Sequence, residues 1–202
     1  MPGGLPMADL GPDRDGLTLD RLHVALGPVL PDWPAGLVVR VVLQGDVIQE
    51  ARAELLDRDR AGVFWDGPQR RAARELDALA RLLGVAGWAD PAARARRLRD
   101  ELLAGSPPER VVGRASGLVR RVRRSRTVRL LVRGIPAGET NLAALVEQRL
   151  DAVEVALSSG AAPVRGQVAE LAGLLVGAEL AAARLIVAAV DPETESARVR
   201  HG

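Results

Sequence analysis

The hydrophobic period changes once along this chain, at Asp66-Gly67-Pro68, and any fold it adopts has to respect that change. Upstream the pattern is that of strands. Leu22-His23-Val24-Ala25-Leu26 is a short apolar segment, and Leu37-Val38-Val39-Arg40-Val41-Val42-Leu43 is rich in β-branched residues, which fit a pleated, half-buried surface. Gln44-Gly45-Asp46 then turns the chain into Val47-Ile48-Gln49-Glu50-Ala51. A Gly-Asp pair between two apolar runs suits a tight hairpin, because Gly adopts positive φ without a Cβ penalty. The predicted sheet is this hairpin plus a flanking strand.

Downstream the apolar residues recur every three to four positions, the period of amphipathic helices. Ala72, Leu76, Leu79 and Leu83 share one face, and Gly84 is placed to stop that helix. Asp90-Pro91 reads as the N-cap and first residue of a second helix with the stripe Ala95, Leu98 and Leu102, ended by Gly105. Arg96 with Asp100, and Arg97 with Glu101, are spaced to pair along it. Residues 107–124 carry the stripe Val111, Ala115, Leu118 and Val122, and residues 142–157 carry a fourth. The most apolar stretch, 164–190, reads as one long core helix rather than a membrane span, because Glu179 and Arg184 interrupt it. Along it Ala169, Gly173, Gly177 and Ala181 form a ladder of small residues that suits close helix packing, inside the fold or against another subunit. The fold class is therefore α+β: a small N-terminal antiparallel sheet followed by a helical bundle. Its parts are a flexible leader (1–16), one domain (17–190, sheet part 17–56, helical part 68–190) and a polar, frayed tail (191–202).

Composition removes much chemistry. The 202 residues contain no Cys and no Tyr, and all 28 basic residues are Arg. Without Cys there is no thiol nucleophile, disulfide or cysteine-held metal centre. Without Lys there is no Walker A loop and no pyridoxal-phosphate Schiff base. His23 is the only His outside the tail and has no donors at ligand spacing, so no metal site, cofactor or catalytic residue is assigned. Trp33, Trp65 and Trp88 stand at junctions between elements, where they would pin loops to the core, apart from the Arg cluster.

That cluster is the main charge feature. The formal charge of the whole chain is only +2, yet residues 109–133 hold nine Arg and one Glu. Arg120, Arg121, Arg123, Arg124 and Arg126 are too dense to be neutralised within their own segment, which reads as a solvated face or as a partner-binding surface. An acidic protein, an anionic lipid surface and a nucleic acid are its possible partners, and the near-neutral total argues against the last. No secretory signal is visible, so a cytoplasmic protein is expected, with peripheral attachment to the membrane left open.

The segment from Leu26 to Ala51, LGPVLPDWPAGLVVRVVLQGDVIQEA, resembles the N-terminal sheet of the quinone-facing subunit of NADH-quinone oxidoreductase, a family related to the large subunit of nickel–iron hydrogenase. Gly27, Pro28, Pro31 and Gly36 fit the family's Gly-Pro-x-His-Pro and His-Gly pattern if one residue is inserted. The resemblance implies an antiparallel hairpin followed by a helical core. It also implies a His in the loop and a Tyr in the helical part facing a quinone, and Cys pairs for metal in the hydrogenase branch. Here Leu30 stands at the first His position, Pro34 or Ala35 at the second, and Tyr and Cys are absent. The expectation is a shortened relative without that redox equipment: a non-catalytic accessory or assembly subunit whose partner is another protein, of a respiratory or hydrogenase-type complex. The alternative is a stand-alone Arg-rich module.

Overall fold

The computed structural model describes residues 10–12, 18–56, 63–161 and 166–194. Four antiparallel strands lie in the order β1 (Leu10–Pro12), β2 (Thr18–Leu26), β3 (Leu37–Gln44) and β4 (Val47–Leu55). The alternation along them sorts the two faces. Val41 pairs with Val24 and Ala51, and Val39 with Leu26 and Ala53, so these side chains share the face turned to the helices. His23, Ala25, Arg40 and Arg52 take the other, solvent-facing side. A bulge between Val42 and Leu43 adjusts the register before the two-residue turn, where Gly45 holds positive φ. The hairpin with its flanking strand is thus present. Leu10–Pro12 adds a short strand inside the segment read as a leader, the remainder of which lies outside the described residues.

A single helical turn (Val63–Trp65) precedes α1 (Pro68–Val85), α2 (Ala89–Leu103), α3 (Pro108–Arg124) and α4 (Arg126–Val132). A two-rung ribbon of β5 (Pro136–Ala137) and β6 (Thr140–Asn141) leads into α5 (Leu142–Ser159), α6 (Val168–Leu175) and α7 (Leu180–Val190). Helix α1 is the central one, packing against α2, α5 and α7. Its buried Leu76, Leu79 and Leu83 join the inner face of the sheet in one apolar core. The Trp33 indole is buried there and donates to the Leu37 carbonyl at 2.9 Å, so the connection between β2 and β3 is pinned as its composition suggested.

Several local expectations give way to tertiary contacts. Gly84 does not stop α1. The helix runs on to Val85 and closes beyond its Ala86 cap, where Gly87 N–H donates to the Gly84 carbonyl and Trp88 N–H to that of Leu83, the paired bonds of a Schellman ending. Gly84 instead makes room for a loop: a Cβ there would stand 2.5 Å from Asp32 Cγ. Asp90 is not an N-cap either, because α2 starts a residue earlier with Trp88 at that position. Arg96 and Glu101 leave their own helix for Asp32 (2.5 Å) and Arg114 (2.7 Å), and Arg99 takes Asp100. Pairs along an exposed helix stabilise by only about 0.3–0.5 kcal/mol, so a modest tertiary advantage redirects them.

The long terminal helix is two. Gly177 takes positive φ, and the segment between α6 and α7 closes on the free edge of β4. Ile48 N–H donates to the Ala178 carbonyl (2.9 Å), Gly177 N–H to Ile48 (2.8 Å) and Leu180 N–H to Asp46 (2.8 Å). An edge strand's unpaired backbone groups thus break what periodicity alone makes continuous. Glu179 becomes the first cap of α7 instead of a charge inside a helix. Among the described residues no helix is long and apolar enough to cross a membrane.

The start of the tail is docked, not frayed. Asp191 is buried and pairs with Arg81 (2.6 Å), and Glu193 pairs with Arg74 (2.7 Å). Residues 195–202 lie outside the described residues.

Candidate docking surface

The C-terminal half of α3 and the whole of α4 carry the Arg cluster. Val111, Ala115, Leu118, Val119 and Val122 are buried along one side of α3, which leaves Arg120, Arg121 and Arg124 exposed on the other. Ser125 then interrupts the helix. It has extended backbone, and its hydroxyl caps α4 by accepting from Val128 N–H. Val128 and Val132, four residues apart, are buried, so Arg126, Arg129, Leu130 and Leu131 lie on the exposed part of α4.

Arg123 is the exception among the five arginines assigned to a partner. Its guanidinium meets three carboxylates of α5: Glu147 at 3.0 Å, Glu154 at 2.7 Å, and Asp151. The hydrogen bond with Glu154, followed by that with Glu147, raises its pKa well above the ordinary guanidinium value. It is a structural clamp between α3 and α5, so reversing its charge is not neutral to the fold. Its four companions remain at the surface. Arg121 lies 5.6 Å from the Trp88 ring centroid and 3.8 Å from Asp90, which brings an aromatic to the edge of the cluster that the linear sequence keeps apart.

Arg114 is held by Glu101, whose carboxyl pKa is lowered chiefly by that hydrogen bond. Arg110, Arg120, Arg124, Arg126, Arg129 and Arg133 meet no carboxylate among the described residues. Elsewhere Arg40, Arg71, Arg74, Arg81, Arg96 and Arg99 are each ion-paired.

The other candidate features divide differently. Gly27 begins a turn closed by Leu30 N–H at 3.0 Å, Pro28 within it and Pro31 just after it are exposed, and Gly36 takes positive φ before β3. These four positions build the connection between β2 and β3. The small-residue ladder is dispersed: Ala169 and Gly173 lie on α6, Gly177 in the break and Ala181 on α7, all exposed, so they do not pack helices inside the fold. His23 borders an open depression of about 390 Å³ on the outer sheet face, beside Arg40, Glu50 and Arg52. No group of three or more His, Cys, Asp or Glu able to hold a metal occurs among the described residues.

Two features escaped linear reading. One is the buried pair of Glu75 on α1 and Arg149 on α5, 2.7 Å apart and 1% and 6% exposed. Arg149 also donates to the Ala189 and Val190 carbonyls at the end of α7 (3.1 and 2.7 Å), joining three helices. The isolated Glu in the α1 stripe and Arg in that of α5 were its only signal. The other is the apolar crest of α4, since 126–133 lacks the length for a visible period.

The fold and surface together define an α+β domain that carries an exposed basic face on α3 and α4. No family model, curated protein or solved structure matches the chain.

Proposed function

We propose that this chain is a non-catalytic accessory or assembly module that docks through the α3–α4 face onto an anionic surface of its partner. One observation carries the reading: exposed arginines without carboxylates are concentrated on one face of a chain that neutralises many of its other arginines internally. Desolvating an unpaired cation against an anionic partner gives electrostatic complementarity and a fast encounter, whereas an already paired arginine contributes little. The resemblance to NADH-quinone oxidoreductase and the hydrogenase large subunit is carried by 26–51 alone; with no His at the loop positions and no Tyr or Cys, that resemblance also favours an accessory role. A cytoplasmic chain held peripherally at the membrane, beside such a complex, is the setting this reading gives it.

The test compares wild type with the triple variant Arg120→Glu, Arg124→Glu, Arg126→Glu, each expressed at native level in the source cells. Wild type is expected in a large assembly or in the membrane fraction. The variant is expected as a free protein that melts like wild type. A wild type that fractionates as a free monomer, or a variant whose association is unchanged, refutes the reading.

A further inference from the structure

The crest of the basic face is apolar. Leu130 is 68% exposed and Leu131 38%, although they belong to a helix whose Val128 and Val132 are buried. At about 100° per residue, Leu130 stands roughly 200° from each of those valines and is therefore the outermost residue of α4. Arg126, Arg129 and Arg133 are exposed around it, with Arg120 and Arg124 on the neighbouring end of α3. The arrangement is a short apolar crest on a helix that also exposes Arg126 and Arg129 and is flanked in the chain by Arg120, Arg124 and Arg133.

We infer that this face binds an anionic phospholipid surface, with Leu130 and Leu131 entering the headgroup region and the surrounding arginines holding lipid phosphates. The inference rests on the docking reading above and adds the chemistry of the surface. Charge alone attracts any polyanion, but the leucines discriminate. A nucleic-acid backbone rewards the arginines and offers nothing to two leucines at the crest. A protein partner would have to cover a wide area around them, since stable interfaces bury on the order of 1,000 Å² or more, and leucines are under-represented among the residues that carry such interfaces. A lipid surface needs only shallow apolar insertion flanked by basic side chains. The acidic groups on adjoining elements are few: Glu139 in the β5–β6 turn, Glu109 at the far end of α3, and Asp90, which already lies beside Arg121. Glu147, Asp151 and Glu154 are engaged by Arg123.

The experiment is co-sedimentation of the purified full chain with vesicles of phosphatidylcholine alone and of phosphatidylcholine mixed with phosphatidylglycerol, at low and at physiological salt. Binding to the mixed vesicles only is expected, weakening as salt rises. Arg126→Gln with Arg129→Gln should lower the partition coefficient about twenty-fivefold, from about fivefold per cation. Leu130→Ser with Leu131→Ser should lower it about tenfold while leaving the thermal melt unchanged, because neither side chain is in the core. Failure of wild type to bind the mixed vesicles, equal binding by the leucine variant, or tighter retention on duplex DNA than on mixed vesicles at physiological salt would each overturn the inference. Charge-dependent association in cell fractions without vesicle binding sinks this inference alone and leaves the docking reading standing.

Discussion

Replacing Gly84 by Ala should destabilise the protein, although Ala is the better helix former by about 1 kcal/mol. The reason is the Asp32 carboxyl group, which lies against the bare Cα of Gly84 and is held by Arg96 at 2.5 Å. Asp32 has positive φ, so its backbone has little freedom to retreat, and its short side chain cannot swing far. The added methyl must push Asp32 off Arg96 or push the loop off α1. Overpacking of this kind costs about 1–3 kcal/mol, and after the propensity gain a net loss of about 1 kcal/mol remains. For a domain of this length that lowers the melting temperature by about 2–4 °C. The partner variant gives the test its force. Asp32→Gly removes the obstructing carboxylate and suits the positive φ, so in that background Gly84→Ala should become stabilising by about 0.5–1 kcal/mol. Urea unfolding followed by circular dichroism at 222 nm, on wild type, both single variants and the double, measures the cycle. If Gly84→Ala has the same sign in both backgrounds, the contact with Asp32 is not what requires glycine.

Val41→Asp should cost more than about 3 kcal/mol, because it buries an unpaired carboxylate in the sheet's inner face, while Arg40→Asp on the outer face should cost under about 1 kcal/mol; similar melts for the two would overturn the facing of β3. Arg123→Glu should lower stability by about 1–3 kcal/mol by placing a fourth carboxylate among Glu147, Asp151 and Glu154, and the loss should shrink in molar salt. A melt equal to wild type at low salt refutes the clamp between α3 and α5.

The change of period at Asp66-Gly67-Pro68, the β-branched run at 37–43 and the apolar stripes of α1, α2, α3 and α5 determined, without tertiary information, that a small antiparallel sheet precedes a helical bundle. Such features are local: a side chain's face follows from the backbone period, and burial of that face is the dominant favourable term. Gly105 illustrates it, since it ends α2 where the pattern runs out. The Arg cluster was equally legible, because five closely spaced cations cannot be paired from within their own segment. Which of them stay available was decided elsewhere, by the three carboxylates of α5 that take Arg123 out of the surface. Tertiary structure likewise broke the last helix at Gly177, since an open strand edge offers backbone hydrogen bonds that no pattern within 164–190 registers. It also turned Gly84 from a helix stop into a contact with a loop 52 positions earlier, and joined Glu75 to Arg149 across 74 residues. Close approach and charge pairing depend on distances in space, and a distance between segments is not encoded in the spacing of residues along either one.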